Sequence, residues 1–204
     1  IREIAGGVRF EELTGGSTFA RGITTGVVRF ERGESLEPHK HTFDESITVL
    51  EGAVLAVVAD RQYVLSTFDN LTVPAGVPHA VTNASSNATA ILHVALATDT
   101  PTREKAGLPP IRRTMPDTLH GLVGPEHISR HAVARRSLPG TNVWASAYCD
   151  SDILPGLAMS GGYARFDPGG RLPAHVHDFD ESICIVEGSA ACVVEGRIHT
   201  LESY

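Results

Sequence analysis

The most constraining feature of the chain is a segment that occurs twice. His39-Lys40-His41-Thr42-Phe43-Asp44-Glu45 returns 136 positions later as His175-Val176-His177-Asp178-Phe179-Asp180-Glu181. Each copy lies in a longer frame of matched spacing, from Gly33 through His39, His41 and Glu45 to Gly52, and from Gly169 through His175, His177 and Glu181 to Gly188. Aligning residues 26–65 with 162–201 gives 18 identities in 40 positions. Agreement of that length at one fixed offset is the mark of a tandem duplication, in which related units build the same local structure.

With 204 residues and 42% hydrophobic content the chain can bury one or two cores, and the repeat period favours two small domains. The expected division is 1–98 for the first domain, 99–140 for an interdomain linker broken by Pro101, Pro109, Pro110 and Pro116, and 141–204 for the second. A net charge of -7 without a dense Lys/Arg cluster argues against nucleic-acid and anionic-membrane partners, leaving a small molecule as the expected substrate. The longest apolar run, Ala53 to Ala59, has seven residues, against the roughly 20 that span a bilayer, so no membrane helix is expected. Cys149, Cys184 and Cys192 form no CxxC pair and all lie in the second half. The first cluster is therefore not a thiolate site, and a reducing cytoplasm is the expected location. The chain opens on Ile1 instead of Met, which leaves a removed leader open.

From Val8 to Thr98 short runs rich in Val, Ile, Leu and Thr alternate with Gly, Asp, Asn and Pro at intervals of about 8 to 12 residues, which predicts an all-β unit. Strands are expected at Thr25 to Phe30, Glu45 to Leu50, Ala53 to Ala59, Gln62 to Ser66, Asn70 to Val73, Ala80 to Asn83 and Thr89 to Ala97. The turns between them fall at Gly33, Gly52, Asp60-Arg61 and Pro74-Ala75-Gly76. So many short strands in one small domain point to a jelly roll or a closed barrel. The second half restarts with strands at Val143 to Tyr148, Leu157 to Phe166, Glu181 to Val186 and Ala190 to Val194, and a short helix is expected near Glu126 to Arg135.

Residues i and i+2 of a strand share a face, so His39 and His41 can converge on one ion while Lys40 points away. Glu45 opens the next strand and can present a carboxylate to the same point. A fourth donor is available in His79, set directly after the rigid turn Pro74-Ala75-Gly76-Val77-Pro78. Imidazoles and a carboxylate suit Fe(II), Mn(II), Ni(II), Co(II), Cu(II) or Zn(II), and the choice among these divalent transition ions stays open.

These stretches resemble the paired motifs of the cupin superfamily, G(X)5HXH(X)3-4E(X)6G followed by G(X)5PXG(X)2H(X)3N. The first motif is matched in both halves. The second is matched from Pro74 through Gly76 and His79 to Asn83, with Phe68 where the pattern opens on Gly. The resemblance implies a bicupin, two tandem jelly-roll barrels of all-β fold, with metal ligands His39, His41, Glu45 and His79 in the first barrel and His175, His177 and Glu181 in the second. The repeat offset puts the counterpart of His79 eleven residues past Tyr204, so the second barrel is expected to be truncated and its site incomplete, with the sequence trimmed at both ends.

Other residues get plainer readings. Phe43, Asp44 and Ser46, repeated as Phe179, Asp180 and Ser182, are expected to pack beneath and cap the turn. His93 is read as a satisfied histidine, and His120, His127 and His131 as solvated. Cys184 and Cys192 are read as small hydrophobes on strands. Ile47, Val49 and Phe30 are the expected cavity walls. The preferred function is a metal-dependent oxidoreductase of dioxygenase type, with Glu45 as both ligand and catalytic proton acceptor. Isomerase or decarboxylase chemistry, and a non-catalytic metal or metabolite sensor, are the alternatives; monomer or homodimer stays open.

Overall fold

The computed structural model describes residues 1–133, 136–137 and 140–204, and it is all-β apart from a 3-10 turn at Gly16–Thr18. Ten strands build the first unit: β1 (Arg2–Ala5), β2 (Val8–Thr14), β3 (Thr24–Phe30), β4 (Ser35–Lys40), β5 (Glu45–Glu51), β6 (Ala53–Val58), β7 (Arg61–Ser66), β8 (Asn70–Val73), β9 (His79–Asn83) and β10 (Ala90–Leu96). Five short ones follow, β11 (Glu104–Lys105), β12 (Arg113–Thr114), β13 (Gly121–Leu122), β14 (His127–Ser129) and β15 (Arg136–Ser137). The second half contributes β16 (Thr141–Cys149), β17 (Gly161–Arg171), β18 (Ser189–Val194) and β19 (Arg197–Glu202).

Two sheets face each other, one ordered β1-β2-β3-β10-β5-β8-β14-β13 and the other β11-β4-β9-β6-β7-β12. Alternation explains the arrangement: Val54, Ala56 and Val58 of β6 are buried while their neighbours are half-buried. Phe30, Ile47, Leu92 and Val94 meet them and Val81 from the opposite sheet in one core. Removing such side chains from water at about 25 cal/mol per Å² is the main term holding the two sheets together.

The stretch 99–140, expected as a linker, supplies strands to both sheets. β11 pairs with β4, β12 runs parallel to β7, and β14 extends the first sheet beyond β8. In place of the expected helix, the described part of 126–135 is this strand and a turn. Ile128 enters the core, and the fully buried Glu126 carboxylate accepts from Arg61 Nε (2.6 Å), Arg61 Nη2 (2.9 Å) and the Tyr63 hydroxyl. Arg130 Nη1 reaches Asp69 Oδ2 and the Val64 carbonyl, each at 2.7 Å. His127, read as solvated, is buried in β14; burial first, then His120, lowers its pKa.

The second half forms two small sheets, β15-β16-β17 and β18-β19, rather than a second closed barrel among the described residues. The expected strand over Glu181 to Val186 is irregular chain, so Cys184 lies outside any strand. This segment covers the outer face of β3, β5 and β10: Val186 packs on Val27, Leu50 and Ile91, and Ser182 Oγ lies 2.8 Å from Thr25 Oγ1. His93 shares that outer face, with Thr48 and Val27 as register neighbours. It does not line the interior, and its Nε2 is sealed without a partner.

Candidate metal centre

Strand geometry brings four side chains together. His39 and His41 flank Lys40, whose Nζ pairs outward with Glu104 Oε2 at 3.5 Å. His79 opens β9 in register with His39, and Glu45 opens β5 between β8 and β10. The loop before His79 is clamped to the first motif. Gly76, at φ 79°, donates its N–H to the His41 carbonyl (2.7 Å), and Ala75 N–H donates to Asp44 Oδ1 (2.9 Å). A left-handed φ at this tight turn explains why glycine stands there. Asp44 thus ties two loops together, since its Oδ2 also accepts from Ala158 N–H at 2.7 Å.

The histidines are oriented from behind. A carbonyl only accepts, so each Nδ1 must carry the hydrogen: His39 donates to Glu37 O (2.8 Å), His41 to Thr102 O (2.6 Å) and His79 to Val77 O (3.0 Å). That tautomer leaves three Nε2 lone pairs facing inward. Phe43 stacks on His41, ring centroids 4.9 Å apart and 22° between planes, so it steadies a donor ring instead of only filling the turn. Asn83, fixed by three donated bonds to the Phe30, Glu31 and Ala88 carbonyls, anchors the far end of β9.

Donor atoms of His39, His41, Glu45 and His79 all lie within 4.8 Å of one another. Glu45 Oε2 is 2.8 Å from His79 Nε2 and 3.3 Å from His41 Nε2. Glu45 Oε2 and His79 Nε2 are nonetheless buried without a hydrogen-bond partner. With the His79 hydrogen committed to Val77, two electron-rich atoms face each other across that short gap. Such an arrangement is costly unless a cation sits between them. Three imidazoles and one carboxylate, closely spaced and backed by carbonyls, therefore fit a divalent transition ion.

Electrostatics agree with the geometry. Burial lowers the pKa of His39 to about 4, with the nearby His79 pushing the same way, so its ring is neutral near pH 7. Burial would raise the Glu45 carboxyl, but the side chains of His41 and His79 beside it hold it well below the usual carboxylate range. Burial opposes a charge on His41, and the Glu45 carboxylate outweighs it to raise that pKa.

The donors sit at the base of a cavity of about 260 Å³ between the sheets. Phe30 and Ile47 line it as expected, whereas Val49 belongs to the packed core. Pro101, Thr102 and Arg103 form part of its rim, a contribution the sequence did not signal because that stretch read as a linker. The second cluster, His175, His177 and Glu181, also comes together but is exposed, with His177 Nε2 3.9 Å from Glu181 Oε2. Phe68, where the motif opens on glycine, takes φ 66°, the left-handed conformation that glycine adopts without strain.

Residues 26–95, which carry all four donors, match the cupin domain family. No curated protein matches the chain. Among solved structures, a cupin 2 domain-containing protein from Halorhodospira halophila is 18% identical, with TM-score 0.47 over 52% of this chain and 74% of that one. A double-stranded beta-helix protein from Klebsiella pneumoniae is 16% identical, with TM-score 0.45 over 52% and 90%. An oxalate oxidase in complex with glycolate is 20% identical, with TM-score 0.43 over 48% of this chain and 55% of that one. The chain thus spans about half the length of that oxidase. No helix among the described residues is long and apolar enough to cross a membrane.

Proposed function

We propose that His39, His41, Glu45 and His79 hold a divalent transition ion and that the protein is a metal-dependent oxidoreductase of dioxygenase type acting on a small organic substrate. The observation that carries this reading is the pair of buried, unpartnered donor atoms at the base of a cavity large enough for a small molecule. When bound, such an ion supplies Lewis acidity and, for Fe or Mn, one-electron chemistry. The chain's own residues do the rest. Glu37, Val77 and Thr102 carbonyls fix the three imidazoles before any ligand arrives, so little reorganisation is needed. Apolar walls such as Phe30, Ile47 and Leu92 exclude water from the reacting end. Glu45, held ionised by His41 and His79, is the group placed to accept a substrate proton at Oε2. The duplicated motif supports reading the chain as a bicupin, with 141–204 a second unit of the same kind. The three free thiols fit a reducing compartment.

The test strips the full chain with chelator, reloads it with Fe(II), Mn(II), Ni(II), Co(II), Cu(II) or Zn(II) singly, and follows oxygen consumption over a panel of small acids and phenols. Consumption with one redox-active ion, absent in Glu45→Ala, is expected. Bound ion without turnover on any compound would leave a binding protein in place of the enzyme.

A further inference from the structure

The cavity above the four donors is walled mainly by aliphatic and aromatic side chains, and apart from the donors its only charged residues are Arg2 and Arg103. Their position runs against the acidic balance of the chain, whose net charge is -7. Both side chains are exposed, yet each has a defined partner. The backbone around Arg103 is pinned on both sides: Thr102 O accepts the His41 Nδ1 hydrogen at 2.6 Å, and Glu104 and Lys105 pair with Lys40 and His39. The Arg103 guanidinium itself donates through Nη2 to the Ile4 carbonyl. Arg2 lies over the Phe10 ring, 5.4 Å from its centroid, and Phe10 lines the same cavity. Two guanidinium groups thereby join the lining of a largely apolar chamber.

We propose that the cavity binds a small monocarboxylic acid with an apolar body, its carboxylate taken by Arg103 with Arg2 beside it. This rests on the reading of the four donors as a metal centre, because the Glu45 carboxylate alone would repel an anion and a divalent ion reverses that sign. Guanidinium is the side chain best shaped for the task, since its planar fork meets a carboxylate in two parallel hydrogen bonds. With one Nη2 hydrogen committed to Ile4, Arg103 keeps one two-pronged face for the carboxylate, made by the other Nη2 hydrogen and the N–H beside it. The cavity, about 260 Å³, is of small-molecule size, and its apolar walls suit a single ring or short branched chain bearing one carboxylate. Arg103 is also two residues from Pro101 on the same strap that orients His41, so the element that would read the substrate also steadies a donor ring.

The experiment is isothermal titration of the full chain, Mn(II)-loaded and chelator-treated, with benzoate, its neutral isostere benzamide, and cationic benzylamine. Metal content is measured on every sample. Benzoate is expected to bind Mn(II)-loaded protein at least about tenfold more tightly than benzamide, with benzylamine silent. Arg103→Met should abolish that preference with Mn(II) content unchanged, and Arg2→Met should weaken it less. Equal affinity for benzoate and benzamide, or unchanged benzoate binding in Arg103→Met, would overturn the proposal. The two readings separate cleanly. If the wild-type chain retains no Mn(II) yet binds benzoate through Arg103, the metal reading falls together with the premise that an ion offsets Glu45, and only the guanidinium contact stands. If Mn(II) is retained and benzoate is ignored, the reverse holds.

Discussion

The two copies of the histidine motif share their local geometry and differ in everything that surrounds it. His39 and His41 have ring centroids 5.0 Å apart at 79°, and so do His175 and His177; Phe43 and Phe179 stack on the second histidine of each pair at 4.9 Å and 22°. His39 and His175 both donate Nδ1–H to the carbonyl two residues back, at 2.8 Å. Phe30, Ile47 and Val58 beneath the first copy are at most 2% exposed, whereas their counterparts Phe166, Ile183 and Val194 are 47%, 54% and 52% exposed. Short-range sequence shapes a ligand cluster, but burial, the fourth donor and a cavity come from distant strands. Among the described residues the second copy holds the outline of a site without the enclosure that surrounds the first.

That contrast can be broken most forcefully at Glu126. Replacing it with alanine strips Arg61 Nε and Nη2 of their buried carboxylate and leaves only Asp60 at Nη1 (3.0 Å), and loss of one partner of a buried pair costs about 3–5 kcal/mol. Urea unfolding followed by circular dichroism should show that loss. No change would mean that residues 121–129 are not part of the first unit's fold.

Removing the fourth donor makes the first cluster resemble the second. His79→Ala should weaken metal binding by more than about 100-fold, since even outer partners of metal-bound histidines are worth 10- to 100-fold. Competition against a chromophoric chelator reads this directly, and retained affinity would show that three donors suffice.

A third contrast concerns the outer face of the barrel, where His93 lies in register with Val27, one of the residues Val186 packs on. Burial alone lowers its pKa from 6.5 to about 4. A histidine depressed in the fold binds fewer protons than in the unfolded chain over that window. Its contribution to stability is present above pH 6.5 and lost as pH falls toward 4, on the order of 3 kcal/mol. Urea midpoints at pH 7 and pH 5 should differ by more in the wild type than in His93→Gln, and equal differences would contradict the burial of His93.

Much of this was legible from the repeat and the motif spacing. The strands carrying Val54, Ile47 and Leu71 were readable because their alternation is local, and the four donors because their spacing is short or follows a rigid turn. What escaped was non-local. Glu126 and Ile128 lie among prolines and mixed charges, and only pairing with β8 shows that they complete the first sheet. Arg103 carried no signal, because its relation to the cavity depends on β11 docking against β4. Phe43 was read as turn packing, since stacking on His41 is a matter of ring orientation that spacing does not encode.

The smallest effect compares the stacked phenylalanines. Phe43→Ala should lower metal affinity by about tenfold by loosening His41, while Phe179→Ala should leave tight binding unchanged. An equal loss in both, measured in the same competition assay, would mean that the copies contribute alike.

The most direct test of the account is equilibrium dialysis of the chelator-stripped full chain against limiting Mn(II) or Co(II), comparing His39→Ala with its repeat counterpart His175→Ala. About one tightly held ion per chain, lost in His39→Ala and retained in His175→Ala, is the predicted result. Retention in His39→Ala, or equal loss in the two variants, would contradict the claim that enclosure by the first barrel makes its cluster a metal centre.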